Sequence, residues 1–187
     1  FFRFIIYFNI MNIFMLSKIL LFITIIKSIK CELCELNNKE GYKLQFGKDK
    51  NETINFTLSL NVRRNVNIWY AIGFGRSMMG GLDIIMIRIF NGNVYVTDEF
   101  VNGYTNPTPD FQQDVTLHNY NYVDGNYIIH FSRPVKPIDT KNNIPLRDCF
   151  RWNFVMNPGT VYDFRGSISK HPGKPLGTLV CLSQCLI

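Results

Sequence analysis

The chain has 187 residues, a formal net charge of +6 and five cysteines, and hydrophobic residues make up 47% of it. This length is enough for one domain with a sizeable core. Residues 1–30 hold four basic and no acidic residues, so the remaining residues have a formal net charge of only +2. A charge so close to balance gives no reason to expect nucleic-acid binding.

The first 30 residues differ in composition from the rest and are dominated by Phe, Ile and Leu. The apolar run 19–26 directly follows Lys18, as the hydrophobic region of a secretory signal peptide does. We therefore predict a leader over 1–30, cleaved near residues 28–31, and a secreted mature chain. An uncleaved membrane anchor is the alternative, but Lys18 and Lys27 leave apolar runs shorter than a membrane span needs.

The cysteines all follow this leader and cluster near the two ends of the remaining chain: Cys31, Cys34, Cys149, Cys181 and Cys185. Behind a signal peptide, such cysteines predict disulfides. We expect two bridges that tie the N-terminal pair to Cys149 and to the C-terminal pair, with one thiol left over. A zinc site made by the N-terminal and C-terminal pairs is the alternative, although secreted thiols tend to oxidise.

Two N-glycosylation sequons begin at Asn51 and Asn55. Asn55 lies in the segment 53–60, where Ile, Phe and Leu alternate with polar residues as in a half-buried strand. The alternation places Asn55 on the outward face, where a glycan could be tolerated. Together with the leader, the sequons predict a secreted glycoprotein.

Short strands with glycine and proline turns between them account for the rest of the chain. Strands are predicted at 69–74, 83–90, 93–98, 115–122, 126–133 and 148–155. Turns or loops are predicted at 91–92, 103–110, 124–125, 134–145 and 157–159. This spacing favours an all-β protein, an immunoglobulin-like antiparallel β-sandwich that forms one domain over 31–187.

Catalytic motifs are absent: the sequence has no GxSxG, no HExxH and no P-loop, so we predict no catalytic residues. Asp98, Asp110 and Asp114 lie beside turns and favour a structural role. Of the three histidines, His130 falls on the polar face of its strand. His171 instead lies in a loop rich in proline and glycine, 169–175, and loops held by a scaffold often carry ligand contacts.

A glycine-rich connection carries two neighbouring methionines, Met78 and Met79, far in sequence from His171. Methionine usually fills gaps in a core. A thioether and an imidazole are, however, the axial pair of many electron-transfer haems. If both loops meet at one end of the sandwich, they would share an apolar cavity.

An ordered set of motifs spans roughly residues 44–179. It consists of WYAIGF at 69–74, MGGLD at 79–83, VYVTD at 94–98, PD at 109–110, QD at 113–114, DG at 124–125 and FSRP at 131–134, followed by Asp139, Trp152 and His171. In this order and spacing the chain resembles the DOMON domain, the sandwich found in dopamine β-monooxygenase and in secreted b-type cytochromes.

The resemblance implies a haem b module for one-electron transfer rather than a complete enzyme. By position in the motif, Met79 and His171 would be the axial ligands, and Met78 competes with Met79. In this interpretation Trp69, Phe74 and Trp152 would wall the haem or the adjoining core, while Arg76 or Lys174 would pair with propionates. A redox partner would exchange the electron.

Other DOMON members bind no haem. The alternative function is therefore a haem-free extracellular module that binds a sugar or a protein partner.

Overall fold

The computed structural model describes residues 33–146, 149–163 and 166–187. The predicted leader and Cys31 lie outside the described residues. The strands are β1 (Cys34–Asn37), β2 (Tyr42–Lys48), β3 (Thr53–Asn61), β4 (Ile68–Phe74), β5 (Leu82–Phe90), β6 (Asn93–Val101), β7 (Thr108–Pro109), β8 (Thr116–Val123), β9 (Asn126–Pro134), β10 (Cys149–Thr160) and β11 (Leu176–Cys181). Two 3₁₀ helices, Met78–Gly80 and Leu182–Gln184, complete the elements. Within the described part of the chain, no helix has both the length and the apolarity to cross a membrane.

The strands form two sheets. The five-stranded sheet has the order β1-β2-β3-β9-β8, and the six-stranded sheet has the order β11-β10-β4-β5-β6-β7. Every strand pairing within them is antiparallel. The prediction of an all-β antiparallel sandwich is therefore confirmed.

The inner core lies between the sheets and follows from the alternation of apolar residues. In β3, Ile54, Phe56, Leu58 and Leu60 are at most 2% exposed, whereas the residues between them are half-buried. Trp152 and Phe154 are fully buried in this core, and burial of a phenylalanine side chain such as that of Phe154 stabilises the fold by about 1.5–3 kcal/mol.

Two disulfides close the ends of the domain, as expected. Cys34 pairs with Cys185, and Cys149 pairs with Cys181 across the β10–β11 ladder. Cys149 thus bonds to the C-terminal pair and not to the N-terminal one. The zinc alternative is wrong, because the sulfurs of Cys34, Cys181 and Cys185 are all in disulfides.

The segment 157–159, which the sequence predicts as a turn, lies inside β10. A bulge between Val155 and Gly159 interrupts the pairing with β4 and accommodates Pro158, which has no N–H to offer a ladder. The predicted loop 103–110 contains the two-residue edge strand β7, where a proline is tolerated.

Candidate functional site

A second group of apolar side chains covers the six-stranded sheet on the face turned away from the inner core. Successive residues of a strand point to opposite faces, so Trp69 and Ala71 of β4 lie on this outer face, whereas Tyr70 and Ile72 enter the inner core. We call the group the outer cluster. Its buried members are Trp69, Ala71, Leu82, Ile84, Met86, Val101 and Val161.

Only one of the two predicted methionines packs against the outer cluster. Met78 is half-buried beside it, whereas the side chain of Met79 is 63% exposed. The 3₁₀ turn that carries both is fixed by a 2.7 Å bond from the Gly103 N–H to the Met78 carbonyl. Gly81 ends the turn with φ at +83°, a conformation that favours glycine.

His171 reaches the opposite end of the outer cluster through Trp69. The two rings meet edge to face, with their centroids 6.3 Å apart. The indole N–H of Trp69 donates to the Ser169 carbonyl at 3.1 Å, which fastens the histidine loop to β4. Gly159 lies directly under this indole, since a Cβ there would come within 2.1 Å of the Trp69 Nε1.

The hydrogen bond of the His171 ring fixes which nitrogen carries the proton in the neutral form. Its Nδ1 bonds to the Gly173 carbonyl, which can only accept, so Nδ1 carries the proton. Nε2 then keeps its lone pair. Histidines that bind metals commonly fix their other nitrogen in this way.

Trp69 therefore belongs to the outer cluster, Met78 packs against it, and His171 contacts it through Trp69, while Met79 is largely exposed. Phe74 and Trp152 belong to the inner core, on the other face of the sheet, with their ring centroids 4.9 Å apart.

The two loops thus contact the same outer face of the six-stranded sheet at opposite ends of the outer cluster, rather than one end of the sandwich as the sequence analysis expected. Sequence reasoning also missed Met86, which is 1% exposed within the outer cluster. Leu82, Ile84 and Met86 are two positions apart along β5 and therefore share one face of the sheet, so this spacing could have assigned Met86 to the outer face.

A buried ion pair lies on the same outer face. Arg88 of β5 donates through both terminal nitrogens to the carboxylate of Glu99, which is 0% exposed. The Nε of Arg88 is buried and has no hydrogen-bond partner within the described residues. Arg76, the residue predicted to pair with propionates, is exposed on the segment after β4.

Carboxylates also gather inside the sandwich. Arg133 of β9 binds Asp83 of β5 through two bonds of 3.0 and 3.1 Å and so joins the two sheets. Burial raises the pKa of Asp83, and burial together with the neighbouring Asp83 raises the pKa of Asp98 to about 7. Within the described residues, no group of three or more His, Cys, Asp or Glu is arranged to hold a metal ion. Asp98 lies within β6 and not beside a turn as the sequence suggested, and it is 0% exposed.

The comparisons with known proteins agree with this architecture. The family model of the DOMON domain matches residues 38–159, so His171 lies beyond the matched part. The fold is similar to the cytochrome domain of Myriococcum thermophilum cellobiose dehydrogenase, with a TM-score of 0.61, 11% identity, and coverage of 83% of this chain and 84% of that chain. It is also similar to the cytochrome b domain of pyranose dehydrogenase from Coprinopsis cinerea, with a TM-score of 0.61, 8% identity and the same coverage. At these identities the likeness concerns the fold, and the family match shows that this chain belongs to the DOMON domain family.

Proposed function

We propose that this domain binds one haem b against the outer cluster, between the Met78–Met79 turn and His171, and passes single electrons. The observation that carries the proposal is the state of His171. Its Nδ1 is held by the Gly173 carbonyl, its Nε2 lone pair is left for a metal, and its ring lies against Trp69 of an apolar face.

The donor set suits electron transfer rather than substrate chemistry. The imidazole of His171 and the thioether of Met78 or Met79 would hold the iron, and a soft sulfur ligand favours ferrous iron and raises the potential. Bound haem would supply a one-electron iron couple. The chain contributes an apolar face that excludes water and a histidine loop fastened by Trp69.

Two residues compete for the sulfur ligand. The family motif places Met79 at the ligand position, and its side chain is free to turn toward a bound group because it is 63% exposed. Packing against the outer cluster favours Met78. Single variants separate the two.

The propionates of haem are carboxylates, and the chain has basic side chains that suit them. Arg88 has a buried Nε–H without a partner within the described residues, on the same sheet face as Trp69. It joins Arg76 and Lys174 as a candidate to bind them.

The fold and the family support this function, because the two similar structures named above are cytochrome domains. The two disulfides support an extracellular location. Asn51 is exposed in the turn between β2 and β3, whereas Asn55 is half-buried on the outward face of β3 and its amide donates to Asp49. Glycosylation of either residue stays a prediction.

Haemin titration of the secreted protein tests the proposal. We expect uptake of one equivalent and a sharp low-spin reduced spectrum. His171→Ala should abolish that spectrum, and one of Met78→Ala and Met79→Ala should do the same. His130→Ala is the matched control, since that ring lies on the other sheet and bonds to a hydroxyl.

An unchanged spectrum in His171→Ala would refute the ligand assignment. Absence of stoichiometric uptake would refute haem binding and favour the haem-free module for a sugar or a protein.

A further inference from the structure

We propose that the β10–β11 edge of the six-stranded sheet is a docking surface for an acidic protein partner. This inference rests on the proposed function, since an electron-transfer domain needs a partner that docks near its cofactor. We call the surface the basic edge and define it by four exposed cations: Arg76, Arg151, Lys170 and Lys174.

Backbone and side-chain contacts bring these cations to one side of the sheet. The N–H of Gly75 donates to the Arg151 carbonyl at 3.0 Å, so Arg76 follows directly beside β10. The Arg151 guanidinium lies over Gly177 of β11, where a Cβ would come within 2.3 Å of it. Lys174 lines a cleft of about 190 Å³ together with Asn157 of β10.

Lys170 completes the basic edge next to the proposed haem site. It follows Ser169, whose carbonyl accepts the Trp69 indole N–H, and it precedes His171. A partner seated on this edge would therefore lie next to the histidine.

Folding makes the surface more basic than the sequence suggests. Of the acidic residues that the structure describes, five are buried: Asp83, Asp98, Glu99, Asp110 and Asp114. Of the described basic residues, Arg133 alone is fully buried, and the Arg88 side chain is 12% exposed. Among the described residues, the ion pairs involve none of the four cations of the basic edge.

The apolar content of the edge favours a protein over an anionic polysaccharide. Leu179 faces Arg151 in the β10–β11 register and is 64% exposed, and Leu176 at the start of β11 is 47% exposed. β11 is also the last strand of its sheet. Arginine beside exposed apolar side chains is typical of protein interfaces, and complementary charge speeds the encounter.

The first experiment is independent of haem. Poly-L-glutamate serves as the acidic polypeptide, and calorimetry measures its binding at low ionic strength. We expect Arg151→Glu/Lys170→Glu to weaken binding about tenfold or more, because two attractive charges become repulsive. The control, Lys50→Glu/Arg63→Glu, makes the same charge change at exposed sites outside β10 and β11 and should bind like the wild type.

The second experiment uses the haem-loaded, reduced protein and two small oxidants. Ferricyanide, an anion, takes one electron and becomes ferrocyanide, and we expect this rate to fall about tenfold in the Arg151→Glu/Lys170→Glu variant at low ionic strength. Hexaammineruthenium(III), a cation that also accepts one electron, should react faster with the same variant.

If both double variants lost affinity for poly-L-glutamate to the same extent, the proposal would be overturned, because the overall charge and not the basic edge would then determine binding. Tighter binding of a heparin hexasaccharide than of poly-L-glutamate would overturn it too, in favour of a polysaccharide. If the protein takes up no haem, the second experiment cannot be carried out and the proposed function is refuted. The calorimetry needs no haem and still decides whether the basic edge binds an acidic polypeptide.

Discussion

Replacement of the buried Asp98 by Asn should change how the stability of the domain depends on pH. Asp98 is 0% exposed, and its Oδ2 accepts the Asp114 N–H at 3.1 Å. Asn143 has one side-chain orientation in which both its amide oxygen and its amide nitrogen have partners. In that orientation the amide nitrogen donates to both oxygens of the Asp98 carboxylate, at 3.0 and 3.1 Å. Burial and the negative charge of Asp83 raise the pKa of Asp98 from 3.8 to about 7.

The sign and size of the effect follow from this shift. A raised carboxyl pKa means that the folded state holds the proton more tightly than the unfolded chain does. Asp98 therefore contributes stability that is fully present below pH 3.8 and is lost as the pH rises through about 7. Between pH 5 and 8 this group alone should lower the free energy of unfolding by about 2.5 kcal/mol.

Urea unfolding, followed by tryptophan fluorescence with the disulfides intact, measures this dependence. Asp98→Asn mimics the protonated carboxyl, so the loss of stability from pH 5 to 8 should be smaller by about 2.5 kcal/mol in the variant. Asp124→Asn, at an exposed hairpin turn, is the matched control and should keep the wild-type slope. Parallel pH profiles for wild type and Asp98→Asn would refute the reasoning.

Two further substitutions test the packing around the site and the link between the sheets. Gly159→Ala would place a Cβ 2.1 Å from the Trp69 Nε1, so the indole must move. We expect this variant to lower the free energy of unfolding by about 1–3 kcal/mol in urea unfolding. Gly80→Ala is the control, and it should lower the free energy of unfolding by less because no atom lies within 4 Å of its Cβ. Arg133→Met leaves Asp83 buried without its partner and should cost about 3–5 kcal/mol in urea unfolding. The double variant with Asp83→Asn should recover part of that loss, and an identical loss in single and double variants would contradict the ion-pair argument.

Local alternation in the sequence predicted most of the strands, because a strand with one buried face repeats every two residues. β3 extends only one residue beyond its prediction. The alternation analysis missed β1, β2, β7 and β11. In β10 the Asn-Pro-Gly segment has the composition of a turn, but the pairing with β4 and the need for a glycine under Trp69 hold it in the strand.

The site was predicted less completely than the fold, and the reason is again the period of two. Trp69 and Phe74 are five positions apart on one strand, so their side chains lie on opposite faces of the sheet. The sequence analysis placed both beside the haem because both belong to one motif, although their spacing already indicates opposite faces. Which face of the sheet the late loop covers depends on contacts between distant segments. The bond between the Trp69 indole and Ser169, 100 positions apart, has no signature in the sequence.

X-ray absorption at the iron edge of the haem-loaded protein is the most direct test of the account. We predict one sulfur among the iron ligands, lost in one of Met78→Ala and Met79→Ala and retained in the other, with the nitrogen count reduced in His171→Ala. An iron coordinated by nitrogen and oxygen alone in the wild type would contradict the proposed site.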